Sequence, residues 1–68
     1  MQNLDKIKNA IGSTIFNHVM REDKTQLEQA KKLISADIEL LKAMPNSNDI
    51  LYRYNMELTL INYCLSDN

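Results

Sequence analysis

A chain of 68 residues with 44% hydrophobic content, one glycine and one proline has room for one small folded domain and does not read as a disordered tail. Lys and Arg number 8 against 9 Asp and Glu, a formal charge of −1, which is neither the basic excess of a typical nucleic-acid binder nor the acidic excess of a nucleic-acid mimic. A single cysteine excludes an internal disulfide, and one cysteine with one distant histidine disfavours a structural zinc site, which needs several soft ligands.

No apolar run approaches the roughly 18 residues of a membrane span, and the N-terminus lacks a basic region followed by an apolar core. A reduced, cytoplasmic setting is therefore expected. A chain of this size buries only about 60% of the surface its unfolded form exposes. Without a disulfide or a metal, efficient helix packing or self-association must supply the remaining stability.

The first predicted helix runs over residues 4–21. Asn3 is placed to cap it, and Asp5 lies in the first turn, where negative charge suits the helix dipole. Its apolar stripe is Leu4, Ile7, Ile11, Ile15 and Val19, while Phe16 and Met20 sit away from the stripe and are left for a neighbouring helix or a partner. His18 lies beside the stripe and is expected to be a partly buried, hydrogen-bonded residue rather than a ligand. Glycine inside a helix costs about 1 kcal/mol relative to alanine. Gly12 is therefore the weak point, but one continuous helix is favoured over a break with Ser13 capping a fresh start.

Asp23 and Gln26 have capping-box spacing and open a second predicted helix over residues 24–44, which Pro45 ends. Leu27, Ala30, Leu33, Ile34, Ile38, Leu40, Leu41 and Met44 form one wide apolar face. Opposite lie Lys24, Glu28, Lys31, Lys32, Glu39 and Lys42, with Glu28 and Lys32 at i,i+4 ion-pair spacing. Asp37 interrupts the apolar face, and an ion pair with Lys8 at the edge of the core is the expected account of it.

The segment from Pro45 to Asn48 is a short turn, with Ser47 or Asn46 as the expected cap of a third predicted helix over residues 48–65. Short loops force successive helices antiparallel, so the expected fold is all-α, an up-down-up three-helix bundle, either alone or as a homo-oligomer. The third helix divides into two apolar faces. Ile50, Leu51, Tyr54, Leu58, Ile61 and Leu65 form the broad one; Tyr52, Met56, Leu60 and Tyr63 form the other. Asn55, Thr59, Asn62 and Ser66 make one polar strip between them, and Arg53 with Glu57 makes the second.

No catalytic, metal or cofactor-binding residues are assigned. Cys64 lies near the end of its helix without basic neighbours in sequence, so it is read as a small hydrophobe rather than an activated thiol. One glycine leaves no phosphate-binding loop. Only Arg53 supplies positive charge on the third helix, and the lysines of the second are interleaved with glutamates, which disfavours nucleic acid.

The second face of the third helix exceeds what two neighbours in a bundle need. Tyr52, Met56, Leu60 and Tyr63 are accordingly the expected partner-binding residues, with aromatic and thioether side chains of the kind enriched at interfaces. Were the third helix wedged between the other two, both faces would instead be core. The expected function is a small non-enzymatic protein–protein interaction module, a regulator or inhibitor that also forms a homodimer. A dimeric nucleic-acid-binding transcriptional regulator is the alternative. Richness in Asn, Ile and Lys fits a bacterial or phage accessory protein.

Overall fold

Helices start where a side-chain acceptor can take the first unpaired backbone N–H groups. The computed structural model, which describes residues 3–66, has four helices among those residues: α1 (Leu4–Ile11), α2 (Ser13–Arg21), α3 (Lys24–Lys42) and α4 (Asn48–Ser66). Asn3 Oδ1 accepts the Lys6 N–H at 3.1 Å to open α1. At α3 the capping box is complete: Asp23 Oδ1 accepts the Gln26 N–H at 2.8 Å, and Gln26 Oε1 accepts the Asp23 N–H at 3.1 Å.

The continuous helix expected over residues 4–21 is in fact two. Gly12 has φ 91° and ψ 151°, a backbone conformation essentially reserved for glycine. Its N–H closes α1 by donating to the Lys8 carbonyl at 2.8 Å, and its carbonyl accepts the Phe16 N–H at 3.0 Å to begin α2. Gly12, not Ser13, is thus the cap position of α2, and no side chain caps that end. Across the break, Lys8 Nζ lies 5.6 Å from the centre of the Phe16 ring, close enough for a cation–π attraction.

The turn between α3 and α4 rests on two residues. Asn46 takes φ 59°, a left-handed conformation that asparagine tolerates better than most residues. Ser47 is buried, and its hydroxyl donates to the carbonyl of Leu41 at 2.7 Å, which also accepts the Met44 N–H at 3.0 Å, and to that of Met44 at 2.9 Å in the turn that follows α3. Its own carbonyl accepts the Leu51 N–H at 2.8 Å. One serine therefore finishes α3 and starts α4.

Packing centres on α4, which touches α3 most extensively, then α1, then α2; no comparable packing joins α3 to α1 or α2. Leu65, near the end of α4, shares a groove with Lys24 and Glu28 at the start of α3, so those two helices run antiparallel. Tyr52, near the start of α4, lies beside Asn3 and Asn9, and Cys64 near its end lies beside Met20. The α1–α2 arm therefore runs in the same direction as α4. The core takes Ile7 and Ile11 from α1, Val19 from α2, Leu27, Ile34 and Ile38 from α3, and Leu60 and Ile61 from α4.

With α4 between α1 and α3, the expected Lys8–Asp37 ion pair does not form, and both residues are exposed. Among the described residues the ion pairs are His18–Glu22 at 3.9 Å and Lys42–Glu39 at 3.0 Å; Glu28 and Lys32 do not make one. A partly buried His18 is expected from the sequence, but its side chain is 70% exposed.

Candidate interaction surface

An interaction surface needs apolar side chains that the fold itself leaves uncovered. On α4 the sequence supplied two apolar faces, and the fold covers most of both. Leu60 and Ile61 are 0% exposed. At about 100° per residue, Tyr52, Met56 and Tyr63 fall within about 80° of Leu60 on one flank. Tyr54, Leu58 and Leu65 fall within about 60° of Ile61 on the other. Except for Tyr52, these flanking residues are half-buried and pack against the core.

Of the strip that separates the two faces in sequence, Glu57 consequently lies on the inward side between Leu60 and Ile61, while Arg53, a turn earlier, stays exposed. Glu57 is half-buried there. Its carboxyl is pushed above the ordinary value of 4.5, first by burial and then by the charge of Glu22, with Arg53 and His18 pulling it back. The outward strip is the other one, where Asn55, Asn62 and Ser66 are exposed.

The four sequence-predicted partner residues therefore do not form one open patch. Leu60 has no surface to offer a partner, and Met56 and Tyr63 offer only part of theirs. Tyr52 is 48% exposed and borders a shallow depression with Asn3, Asn9 and Ala10 of α1.

The larger uncovered surface is on α3. Leu33 is 69% exposed, Leu40 67% and Met44 57%. Leu27, Ile34 and Ile38 point into the core, Leu33 and Leu40 lie about 120–140° round the helix from them, and Met44 follows in the turn beyond α3. Ala36 and Ala43 are exposed as well and carry the stripe farther from the core. A helix held by a single neighbour buries one stripe a little over 100° wide. The apolar arc of α3 is wider than that, and its excess stays in solvent. The width of this arc was the sequence signal for the stripe.

Around these surfaces the polar chemistry is sparse. An exposed His18 lies 3.9 Å from the half-buried Glu22, and Cys64 Sγ lies 3.6 Å from Met20 Sδ. Among the described residues no three His, Cys, Asp or Glu side chains gather where they could hold a metal ion, and no helix is long and apolar enough to cross a membrane. No family model, no curated protein and no solved structure matches this chain.

Proposed function

We propose that this protein is a non-enzymatic protein–protein interaction module, a regulator or inhibitor that occludes a surface of another protein with an apolar helix face. The observation that carries this is the Leu33–Leu40–Met44 stripe, three large apolar side chains left more than half exposed, two on α3 and Met44 in the turn just beyond it. Full burial of such a side chain is worth about 1.5–3 kcal/mol, so covering the stripe rewards association by several such increments. The stripe belongs to a capped, 19-residue helix fixed on α4, so little ordering entropy is lost when it docks. Tyr52 supplies a second, smaller contact, with Met56 and Tyr63 at its margin.

The same proposal takes α1 and α2 as one interrupted arm of an up-down-up bundle that works as a homo-oligomer. It places the protein in a reduced cytoplasm, as an accessory protein of a bacterium or phage.

The test is affinity capture from the source cells with three baits: wild type, Leu33→Glu/Leu40→Glu, and Tyr52→Ser. The expected result is a protein retained by wild type and by Tyr52→Ser but lost by the double variant, with helical circular dichroism unchanged in all three. Retention by all three baits, or capture of nothing by wild type, would overturn the proposal.

A further inference from the structure

We infer that the α3 stripe is covered by a second copy of this chain, docked α3 on α3 in antiparallel orientation about a two-fold axis. This rests on the interaction reading and names what covers the stripe when the other protein is not bound. Leu33, Ala36, Leu40 and Ala43 follow the 3-4-3 spacing of a coiled-coil seam, and all four are exposed. An axis midway between Leu33 and Leu40 sets Leu33 of each copy against Leu40 of the other. It places the small Ala36 at the crossing, where two helices must approach to about 8 Å.

Charge decides between this occupant and an unrelated one. Lys32 and Glu39 are exposed, seven positions apart on one edge of the seam. The same axis brings Lys32 of each copy beside Glu39 of the other, so the edge is complementary to itself when the helices are antiparallel. Glu39 already holds Lys42 at 3.0 Å, but in solvent that pair is worth little and leaves carboxylate lone pairs for a second lysine. On the other edge the axis brings the two copies of Asp37 together, a like-charge contact that weakens the pair.

Size sets the strength. From Leu33 to Leu40 the stripe spans about 10 Å along α3, and at a helix width of about 10 Å it covers much less area than the roughly 800 Å² per partner of a standard interface. The dimer is therefore reversible and concentration-dependent. A domain this small also gains from burial in a second copy that its own core cannot supply.

Sedimentation velocity on the full chain, from low to several hundred micromolar, tests the inference. Wild type is expected to pass from the mass of one chain to that of two. Leu33→Glu/Leu40→Glu is expected to stay at one chain throughout; both positions are exposed and glutamate is a good helix former, so helical circular dichroism is retained. Lys32→Glu should weaken the dimer about tenfold, since symmetry counts each substitution twice. Adding Glu39→Lys to it should restore the dimer, and Asp37→Asn alone should tighten it. A wild type that stays monomeric overturns the inference, as does a dimer indifferent to the leucine substitutions or a charge swap that fails to restore. If a monomeric wild type still captured another protein through Leu33 and Leu40, only the second copy would be lost as the occupant and the broader interaction proposal would stand.

Discussion

The two long helices, α3 and α4, are each 19 residues, and each carries more apolar arc than one neighbour can cover, yet they end differently. In α4 most of the excess is absorbed, because α1, α2 and α3 all pack on it and Leu60 and Ile61 lose all contact with solvent, leaving Ile50 and Tyr52 half exposed at its start. In α3 the excess is left bare, because only α4 packs extensively on it and Leu33 and Leu40 stay about two-thirds exposed. An apolar pattern states how much surface a helix wants buried. How much is buried depends on how many neighbours it obtains, and that is a property of the whole chain.

The sharpest way to break this comparison is to truncate one leucine on each helix. Leu60→Ala removes a fully buried side chain and should cost about 2–5 kcal/mol, enough to unfold a domain of this size. Leu40→Ala removes an exposed one and should fall within about 0.5 kcal/mol of wild type when measured on monomer. Urea titrations followed by circular dichroism at low protein concentration would check both. Equal losses would mean that α3 has a second neighbour in solution.

Gly12 tests whether the α1–α2 arm must bend to follow α4. A Cβ at this position would meet no atom within 4 Å, so any penalty comes from the backbone alone. Gly12→Ala should cost about 1–3 kcal/mol if the break is kept. If the arm instead straightens into one helix, the helical signal should rise while contact with α4 is lost, and the melting transition should broaden. A stability gain with unchanged helicity would show that the break has no role in covering α4.

Ser47 holds the joint between the two compared helices. Ser47→Ala leaves the Leu41 and Met44 carbonyls without the hydroxyl they share and should cost about 1 kcal/mol. Hydrogen exchange should localise the loss to the last turn of α3 and the first of α4. Uniform loosening of the whole chain would argue that the serine acts through packing instead.

Local chemistry was legible in the sequence: an acceptor at Asn3 and the reciprocal pair of Asp23 and Gln26 act within a few residues of themselves, whereas the second predicted helix, expected to run to residue 44, ends at Lys42, before Pro45 is reached. The break at Gly12 was visible only as an alternative, because a glycine within a helical pattern is tolerated as often as it interrupts, and the choice depends on the course of the arm over α4. The apolar surplus was also legible, but the fold leaves more of it bare on α3 than on α4. Tyr52, Met56, Leu60 and Tyr63 look outward when one broad face is assigned to both neighbours, but α4 lies between the α1–α2 arm and α3 and turns an apolar face to each. Leu33, Leu40 and Met44 were read as inward because one broad face looks like one core, and α3 has one main neighbour. Neighbour number arises from long-range docking, for which a single sequence carries no periodic signal.

Glu57 offers the subtlest test, because it asks whether its part of the strip between the two faces of α4 really lies on the inward side. Its carboxyl is raised above 4.5, chiefly by burial and next by Glu22. A carboxyl raised by folding binds its proton more tightly in the folded state than in the unfolded one. Ionisation therefore opposes folding: stability falls as pH rises from about 4.5 to the raised folded value, and the loss persists above it. Glu57→Gln removes this titration while keeping nearly the same shape, so it should flatten that part of the pH profile and raise the melting temperature slightly at neutral pH. Arg53 and His18 partly offset the penalty, so removing the Arg53 charge by Arg53→Gln should steepen the profile that Glu57→Gln flattens. Melting temperatures across roughly pH 4 to 7 would show both effects. If Glu57→Gln tracked wild type at every pH, the carboxyl would have to be fully hydrated and the two apolar faces of α4 would remain divided, as they are in the sequence.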